Sequence, residues 1–516
     1  MNREELENVY PRDSETILMV SSPGNQVNPF LNIQPGSPLW AEKPVILRPM
    51  STMIKFGTDG WRAIIARDYT EHNVMRVARG TAQWMNDKGM THAVIGHDCR
   101  FGGQMFAEAT ARVLAGEGIR VDMARGFVST PMVSLGVVKQ HADLGIVITA
   151  SHNPPSYNGF KLKSGFGGPT IPRDITAVEA RIPTTIKDSW PSLDELVRQG
   201  MIRYVDLEEI YYQHVLEGFD IPLMRTSGIR LAYDAMYGAG QRILPRILPE
   251  AHCLHCDENP GFHGQAPEPI HRNLTELSEL LATTGQFGAG LANDGDADRI
   301  GMYDSKGRFV DSHHLLLLLL IYLHDYKNLR GKVVVTFSVT DKMETLARQY
   351  GLDFEVTKIG FKYIAEIMIE QDVLVGGEES GGLAVKGHIP ERDGVWMGLM
   401  ILEFMARTNK TLDQLVDMVH EKVGAFDFDR WDLHVEEAHK QAVIAACKND
   451  TIDPDNTLRS TRKEDLDGFK YYLPEGWLMF RPSGTEPVLR VYAQGGNMEE
   501  VQDILKRAKA LVDRLG

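Results

Sequence analysis

Three times along the chain, the sequence repeats a short apolar segment, a polar loop, an amphipathic helix and a second apolar segment. The first segments lie at residues 92–96, 229–233 and 332–336, and the second segments lie at residues 144–148, 288–292 and 372–375. Apolar segments that alternate with helical patterns predict α/β domains with mixed, mostly parallel sheets. The two segments of a unit lie roughly 40 to 60 residues apart, which indicates a domain-scale repeat and not a solenoid.

The predicted helices of these units each have one apolar face. In the third unit, Asp341 and Glu344 are spaced as a capping box at the start of the helix. The apolar positions recur at helical spacing and are Phe106, Ala109 and Val113 in the first unit, and Met343, Leu346, Ala347 and Tyr350 in the third. Such faces predict helices that pack against the sheets.

The C-terminal part of the chain departs from this pattern. Two apolar segments, residues 476–480 and 488–492, flank a loop that contains Gly and Pro, and a final amphipathic helix follows. Its apolar positions are Val501, Ile504, Leu505, Ala508 and Val512. A chain of 516 residues is also too long for one hydrophobic core. We therefore predict an α/β protein with three related mixed α/β domains and a smaller α+β C-terminal domain that closes over them.

Composition argues against several classes of protein. The formal net charge is −15, whereas a nucleic-acid-binding surface needs a basic face. The longest apolar run, residues 315–323, is about half as long as a bilayer crossing requires, and it predicts a buried helix. The first residues are acidic and lack the apolar segment of a secretory signal. We expect a soluble, cytoplasmic protein that binds neither nucleic acid nor membrane.

The four cysteines are too few for a disulfide framework in a chain of this size. Cys253 and Cys256 lie in the segment His-Cys-Leu-His-Cys, which is compatible with zinc binding. No second Cys-x-x-Cys follows, so a short ligand cluster would stand alone. Reduced thiols are therefore favoured over a zinc site.

An acidic loop follows the second apolar segment of the second unit. Asp294, Asp296 and Asp298 alternate, so a tight loop can direct three carboxylates at one hard cation such as Mg²⁺. An EF-hand would need Gly and Glu at its sixth and twelfth positions, where this chain has Arg299 and Ser305. A solvated acidic turn remains the alternative for this loop alone. Arg299 beside the carboxylates indicates an anion held next to the cation, as phosphate is held next to Mg²⁺.

A serine occupies the corresponding loop of the first unit, Thr-Ala-Ser-His-Asn-Pro at residues 149–154. The hydroxyl of Ser151 is a poor nucleophile or leaving group unless a metal or a base assists it, and the aspartates could supply the metal. The serine lies outside a Gly-x-Ser-x-Gly elbow, which disfavours a hydrolase triad. An ordinary turn is the alternative, because Ser, Asn and Pro are common turn residues.

Two further loops carry groups suited to phosphate and sugar. Residues 481–487, Arg-Pro-Ser-Gly-Thr-Glu-Pro, combine a guanidinium, two hydroxyls and a glycine that lets an oxyanion approach the backbone. A plain Pro/Gly turn is the alternative, and the absence of a Walker sequence disfavours a P-loop NTPase. Glu378 and Ser380 lie in a glycine-rich loop and offer acceptors for sugar hydroxyls, although such residues are often simply solvated.

In chain order, these loops resemble those of the α-D-phosphohexomutase superfamily, which includes phosphoglucomutases and phosphomannomutases. The matching segments are Phe-Gly-Thr-Asp-Gly-Trp-Arg at 56–62, Thr-Ala-Ser-His-Asn-Pro at 149–154, Asp-Gly-Asp-Ala-Asp-Arg at 294–299, Gly-Glu-Glu-Ser-Gly at 377–381 and Arg-Pro-Ser-Gly-Thr-Glu-Pro at 481–487. Several independent loops in one order are far more specific than any one loop. The resemblance implies four domains around a central cleft that contains the active site.

We divide the chain accordingly into an extension and four domains. The predicted parts are a loosely ordered extension at residues 1–50, a domain with the phosphoserine loop at 51–205, a domain with the metal loop at 206–310, a domain with the sugar-recognition loop at 311–425 and a domain with the phosphate-binding loop at 426–516.

The resemblance also implies roles for individual residues. Ser151 would carry the phosphoryl group, and an oxygen of that group would bind Mg²⁺ together with Asp294, Asp296 and Asp298. Lys161 resembles the general acid/base of the family. The remaining implied residues are Arg62 and His152 as electrostatic helpers, and Arg299, Lys362, Glu378, Ser380, Arg481, Ser483, Gly484 and Thr485 at the substrate.

The predicted reaction is the interconversion of hexose 1-phosphate and hexose 6-phosphate. It would proceed through a phosphoserine and a hexose 1,6-bisphosphate, which would also act as activator, in a chain that is a monomer or a homodimer. Residues 157–161 and 360–362 favour glucose phosphate as the substrate. The alternatives are a phosphomannomutase or phosphoglucosamine mutase, a non-catalytic sugar-phosphate sensor, and a phosphatase in which water replaces the sugar.

Overall fold

The computed structural model describes residues 53–57, 59–186, 190–482 and 488–516. The predicted extension at residues 1–50 lies outside this range, as do Ser483, Gly484 and Thr485 of the predicted phosphate loop. Within the described residues the strands form four sheets, and each sheet is built from one contiguous stretch of chain.

The first sheet carries the serine loop at the end of a central strand. Its strands are β1 (Trp61–Ile64), β2 (His92–His97), β3 (Arg120–Ala124), β4 (Leu144–Ile148), β5 (Tyr157–Ser164) and β6 (Ile202–Val205), in the order β1-β5-β4-β2-β3-β6. Its helices are α1 (Glu71–Asp87), α2 (Gly103–Gly116), α3 (Thr130–Lys139), α4 (Pro172–Glu179) and α5 (Leu193–Arg198). Strands β2, β3, β4 and β6 are parallel, and β5 is antiparallel to β4 and β1. Every residue of β4 is buried, which explains its continuous apolar sequence.

The second sheet repeats this plan. Its strands are β7 (Leu231–Asp234), β8 (His252–Leu254), β9 (Ala289–Asn293), β10 (Ile300–Asp304) and β11 (Phe309–Val310), in the order β11-β10-β9-β7-β8. Its helices are α6 (Leu207–Gly218), α7 (Ile221–Thr226), α8 (Ile243–Ile247) and α9 (Thr275–Thr284), with short 3₁₀ turns at Ala239–Gln241, Phe262–Gly264 and His271–Asn273. Strand β7 is parallel to β8 and β9, whereas β10 is antiparallel to β9 and β11.

The third sheet has the same mixed character. Its strands are β12 (Lys332–Thr336), β13 (Phe354–Thr357), β14 (Val373–Gly377) and β15 (Leu383–Val385), in the order β13-β12-β14-β15. Its helices are α10 (Ser312–Ile321), which continues as a π-helical turn at Tyr322–Tyr326, α11 (Lys342–Gln349), α12 (Phe361–Glu370), α13 (Gly394–Thr408) and α14 (Leu412–Val423). Only the β14–β15 pair is antiparallel among the pairs described for this sheet.

The fourth sheet is antiparallel throughout its described pairs. Its strands are β16 (Asp427–His434), β17 (Arg462–Glu464), β18 (Phe469–Tyr472), β19 (Trp477–Pro482) and β20 (Val488–Gly495), in the order β16-β20-β19-β18-β17. Helices α15 (Glu437–Lys448) and α16 (Met498–Asp513) belong to this part of the chain. The predicted fold class, three mixed α/β domains and an α+β domain, is confirmed, while the domain boundaries stay a prediction.

The apolar run at residues 315–323 forms the buried helix that its sequence predicts. Every residue of α10 is buried, and the helix is apolar on all sides, as expected for a helix inside a core. The apolar faces predicted for α2, α11 and α16 are also buried, apart from the half-buried Tyr350 at the end of α11. In the part of the chain that the structure describes, no helix is both long and apolar enough to cross a membrane.

The predicted capping box at the start of α11 is wrong. Asp341 has helical backbone angles and its side chain accepts no capping hydrogen bond from the helix. Its Oδ1 instead accepts a hydrogen bond of 2.8 Å from Nε2 of Gln494. A residue of the fourth sheet therefore replaces the backbone N–H as the partner of Asp341.

The four loops singled out in the sequence share one topology. Each loop connects a strand to its antiparallel neighbour, and the pairs are β4–β5, β9–β10, β14–β15 and β19–β20. In the three mixed sheets, the loop lies beyond the carboxyl end of a strand with a parallel neighbour, where α/β folds bind ligands.

Candidate active site

Ser151 lies in the loop between β4 and β5, and only 1% of its surface is exposed. Its backbone φ is 51°, a left-handed conformation that residues other than glycine rarely adopt and that is often found at functional sites. The Ser151 hydroxyl donates a hydrogen bond of 2.7 Å to Oδ2 of Asp294. The predicted nucleophile therefore faces the predicted metal loop.

The three aspartates converge as the sequence predicts. Asp294, Asp296 and Asp298 are fully buried, and each offers a carboxylate oxygen within 4.8 Å of the others. Gly295 allows the acidic loop to approach the serine loop, because a Cβ at this position would lie 2.5 Å from the carbonyl oxygen of Ser151. Loops from two different sheets thus meet at one point.

The aspartate trio has the properties of a cation site. Burial and repulsion from Asp296 and Asp298 raise the pKa of Asp294 well above its usual value. The Oδ1 atoms of Asp296 and Asp298 are buried and have no hydrogen-bond partner among the described residues. Buried carboxylate oxygens of this kind need a cation, and an all-oxygen donor set suits Mg²⁺. The residues present fit a magnesium ion.

Lys161 is the cation that lies next to this trio. It extends from β5 with its side chain fully buried, and its Nζ lies 2.8 Å from Oδ2 of Asp296 and 3.2 Å from Oδ2 of Asp298. Asp59 Oδ2 is a third partner at 2.9 Å. Burial alone would lower the pKa of Lys161, but the three carboxylates outweigh burial and raise it. In this arrangement Lys161 is a buried ammonium group.

Arg62 and His152 contact the serine loop. Arg62 extends from β1, and its Nη1 donates a hydrogen bond of 2.5 Å to Oδ1 of Asn153. His152 Nδ1 lies 3.3 Å from Ser151 Oγ. Burial, with help from Arg299, Arg62 and other nearby cations, lowers the pKa of His152 well below its usual value. In this arrangement His152 is a neutral hydrogen-bonding group.

Arg299 is the last residue of the acidic loop. Its backbone N–H donates a hydrogen bond of 3.0 Å to Oδ1 of Asp294. Its guanidinium is close enough to His152 to influence that residue's pKa, and its Nη1 lies 3.8 Å from Oε1 of Glu268. The structure therefore places a cationic group beside the serine and the aspartates, as the sequence predicts for an anion site.

The predicted sugar loop meets the metal loop through the backbone. The N–H of Ile300, at the start of β10, donates a hydrogen bond of 3.2 Å to the carbonyl oxygen of Gly381. Glu378 is buried, and burial raises its pKa to about 7 although Arg392 opposes this shift. Ser380 is half-buried in the same loop. Lys362, near the start of α12, lines a cavity of about 160 Å³ together with Asp59.

Arg481 lies in the fourth sheet, within electrostatic range of the predicted sugar loop. It lies near the end of β19, and its Nη2 is 3.4 Å from Oδ2 of Asp467. Burial would lower the pKa of Arg481, but Tyr492, Asp467 and Glu379 outweigh it and raise the pKa. Glu379 belongs to the sugar loop, so Arg481 acts electrostatically on that loop. The structure therefore brings Ser151, the aspartate trio, Lys161, His152 and Arg299 together. Arg481 is linked to the sugar loop only by its electrostatic interaction with Glu379, and Lys362 shares only a cavity with Asp59.

Family models match the chain in four consecutive stretches. They describe phosphoglucomutase/phosphomannomutase alpha/beta/alpha domain I at residues 53–188, domain II at 209–307, domain III at 311–422 and the C-terminal domain at 434–511. The chain belongs to the phosphoglucomutase/phosphomannomutase family. The resemblance and the enzyme class predicted from the sequence, an intramolecular phosphotransferase, are thereby confirmed.

Individual members of the phosphoglucomutase/phosphomannomutase family align over most of their length. A crystal structure of a putative phosphomannomutase from Thermus thermophilus is 32% identical, with a TM-score of 0.79 and coverage of 89% of this chain and 99% of that one. The phosphoglucomutase/phosphomannomutase of Thermococcus kodakarensis is 28% identical over 89% of this chain and 98% of that protein. The phosphoglucosamine mutase of Methanocaldococcus jannaschii is 29% identical over 81% of this chain and 91% of that protein. These names do not single out glucose, so the comparisons leave the predicted preference for glucose phosphate unconfirmed.

Sequence reasoning missed the residue that links three loops of this family member. Arg392 is buried just before α13, and its Nη2 lies 2.5 Å from Oδ2 of Asp59 and 2.7 Å from Oδ2 of Asp298. Its Nη1 lies 3.9 Å from Oε2 of Glu378. The one available signal was the run Glu-Arg-Asp at 391–393, three charges directly before an apolar helix. Asp59 lies inside the matched segment 56–62 but had no predicted role.

At the Cys-x-x-Cys segment, no group of three or more metal ligands converges among the described residues. Cys253 and Cys256 are half-buried free thiols. The aspartate trio is the only group of three or more His, Cys, Asp and Glu ligands that converges among the described residues.

Proposed function

We propose that the chain is a phosphohexomutase that moves a phosphoryl group between the 1- and 6-positions of a hexose phosphate through a phosphorylated Ser151. The observation that carries this proposal is the 2.7 Å hydrogen bond from Ser151 Oγ to Asp294, inside a trio of buried carboxylates. A serine hydroxyl becomes a competent phosphoryl carrier when a cation stabilises the charge on the reacting group.

The proposed magnesium ion would be held by Asp294, Asp296 and Asp298 together with a phosphoryl oxygen on Ser151. When bound, it neutralises charge on the phosphoryl group during transfer. Family resemblance and the buried, unpartnered Oδ1 atoms support this assignment.

Ser151 first donates its phosphoryl group to the free hydroxyl of a hexose monophosphate. The bond from phosphorus to Ser151 Oγ breaks, a bond to the sugar oxygen forms, and the sugar hydroxyl loses the proton that Ser151 Oγ gains. Lys161 is the proton carrier that we propose, because its ammonium is buried against the aspartates of the metal loop. Arg62 and Arg299 provide positive charge around the reacting phosphoryl group, and His152 holds the Ser151 oxygen by a hydrogen bond.

The product of this step is a hexose 1,6-bisphosphate, which must turn over and return its other phosphate to Ser151. Glu378 and Ser380 accept hydrogen bonds from the sugar hydroxyls in both orientations. Arg481 and the hydroxyls of Ser483 and Thr485 hold the phosphate that does not react, with Gly484 leaving room for it, and Lys362 contacts the substrate from the rim. Closure of the fourth domain would exclude water, which would otherwise hydrolyse the phosphoserine. Added bisphosphate should therefore act as an activator.

For the sugar, we propose glucosamine phosphate ahead of mannose and glucose phosphate. The names of the relatives from Methanocaldococcus jannaschii and Thermus thermophilus support the first two sugars over glucose. The carboxylates of Glu378 and Glu379 add a physical reason, because a 2-ammonium group is better matched to an acidic loop than a hydroxyl is. Relative rates with glucosamine 1-phosphate, mannose 1-phosphate and glucose 1-phosphate test this order, and a preference for glucose would contradict it.

The test of the proposed reaction compares Ser151→Ala with Ser156→Ala. Ser156 lies in the same loop but is exposed, so its loss should leave the rate unchanged within about twofold. With Mg²⁺ and bisphosphate present, Ser151→Ala should lose all measurable interconversion. Retained interconversion in Ser151→Ala would refute the phosphoserine route.

Tight binding of sugar phosphate without turnover in the wild-type protein would favour a sensor, and steady release of free phosphate would favour a phosphatase. The cytoplasmic location and the monomeric or homodimeric state stay predictions.

A further inference from the structure

The strained backbone of Ser151 is held by groups outside the predicted catalytic set. A non-glycine residue at a φ of 51° costs free energy, so the conformation persists only where its surroundings determine it. Two buried residues that follow β2, Asp98 and Arg100, hydrogen-bond to this loop through their side chains. They form two separate sets of hydrogen bonds.

The first set comes from the guanidinium of Arg100. Its Nη2 donates to the carbonyl oxygens of Ser151 and Asn153, each at 2.6 Å. Its Nη1 donates to the carbonyl oxygens of Pro154 at 2.9 Å and Tyr157 at 3.1 Å. A planar guanidinium with fixed donor directions thus binds three carbonyl groups of the loop and that of Tyr157 at the start of β5, which a lysine ammonium could not do with the same geometry.

The second set passes through the hydroxyl of Thr149. This hydroxyl donates a hydrogen bond of 2.5 Å to Oδ2 of Asp98 and accepts one of 2.9 Å from the backbone N–H of Ser151. Because the hydroxyl has a single proton, donation to Asp98 leaves its lone pairs free for Ser151. The N–H and the C=O of Ser151 are therefore both held by this network.

Three further contacts hold Asp98 and Arg100 in place. Oδ1 of Asp98 accepts a hydrogen bond of 2.9 Å from the backbone N–H of Arg100, and its Oδ2 lies 3.3 Å from Nε of Arg100. The guanidinium also lies over the ring of Phe262, 5.0 Å from its centroid, and Phe262 belongs to the segment of the second sheet. Arg100 is thus oriented by both of the domains whose loops meet at the site.

We propose that Arg100 and Asp98 are positioning residues that impose the left-handed backbone of Ser151 and so aim its hydroxyl at Asp294. Neither residue contacts the Oγ atom, and both act through the backbone of the loop. The inference rests on the proposed mutase function, since aiming matters only if Ser151 carries the phosphoryl group. It predicts that loss of the network slows phosphoryl transfer more than it weakens substrate binding.

The experiment compares Arg100→Lys with Arg76→Lys in the full-length chain. Arg76 is an equally buried arginine of the same domain that donates to a backbone carbonyl, that of Pro183, away from the serine loop. We expect Arg100→Lys to lower kcat by about 100-fold with KM within about threefold, because misplacement of a reacting group by about 1 Å has that effect. Arg76→Lys should lower the thermal midpoint to a similar extent but keep kcat within about threefold.

Two further variants keep the test decisive if Arg100→Lys does not fold. Thr149→Val retains the shape of the side chain but removes the relay to Asp98, and it should also lower kcat at nearly constant KM. Added guanidinium ion should restore part of the kcat of Arg100→Ala. Equal kcat for Arg100→Lys and Arg76→Lys, or an unchanged kcat for Thr149→Val, would overturn the inference. A wild-type protein without turnover would instead refute the proposed function.

Discussion

Arg392 Nη2 and Asp298 Oδ2 lie 2.7 Å apart, which joins the start of α13 to the metal loop. The same nitrogen lies 2.5 Å from Oδ2 of Asp59, which in turn contacts Lys161. One buried guanidinium therefore connects segments of three different sheets. Removal of a buried charge that has several partners is costly because those partners remain buried without compensation.

Replacement of Arg392 by Ala should weaken both the fold and the site. We expect a loss of roughly 3 kcal/mol in the free energy of unfolding, measured by urea titration. Turnover should fall by at least about tenfold, because Asp59 and Asp298 would no longer be held in place. As a control, Arg308→Ala removes an exposed arginine paired with Asp304, and it should cost less than about 1 kcal/mol and leave turnover unchanged. Equal effects of the two substitutions would contradict a linking role for Arg392.

Removal of the metal should abolish turnover, and the aspartates should determine metal affinity. Chelation by EDTA should stop the reaction, and Mg²⁺ should restore it. Asp296→Asn and Asp298→Asn should each weaken Mg²⁺ binding, measured by calorimetry, and lower turnover by at least about 100-fold, because the ion supplies several kcal/mol of charge stabilisation. Undiminished activity in excess EDTA would refute the metal site.

The affinity for sugar should depend on pH through Glu378. Burial raises the pKa of this carboxyl to about 7, so the group changes from a neutral acid to a carboxylate across neutral pH. A carboxylate accepts stronger hydrogen bonds from sugar hydroxyls than a carboxylic acid does. KM should therefore fall as pH rises from 6 to 8, and Glu378→Gln should show no such fall over this interval. A parallel pH profile in both proteins would show that another group is responsible.

The raised pKa of Glu378 also makes the free energy of unfolding depend on pH. The folded-state pKa of Glu378 lies above the value of an unfolded glutamate, so between these two values the folded protein binds more protons than the unfolded one. The contribution of Glu378 to the free energy of unfolding is therefore fully present below the pKa of the unfolded glutamate. This contribution is lost as pH rises through about 7. Relative to Glu378→Gln, the wild-type protein should lose up to about 3 kcal/mol of unfolding free energy between pH 4.5 and 7.5. A gain over this range would contradict a raised pKa.

Much of the fold and of the site follows from local patterns in the sequence. Strand β4 has the predicted limits, because a strand buried on both faces must be apolar throughout. The convergence of Ser151 with the aspartates follows from loops placed beyond the carboxyl ends of strands. In both cases the physical cause lies within a few residues of its effect.

Other features depend on partners far along the chain. The contacts of Arg392 join residues up to 333 positions apart, and no rule based on sequence spacing predicts such an ion pair. The capping box at Asp341 fails because Gln494, from another sheet, competes for its carboxylate. The preferred sugar depends on small differences among the groups that line the cleft, which motifs shared by the whole family do not encode.

The phosphoserine is the central claim, and its most direct test is to label the protein with ³²P-labelled hexose 1,6-bisphosphate in the presence of Mg²⁺. The labelled site would then be located by mass spectrometry of peptides. We predict one phosphate per chain on Ser151, removed when unlabelled hexose monophosphate is added. Stable label at another residue, or no label in a protein that interconverts hexose phosphates, would contradict the mechanism.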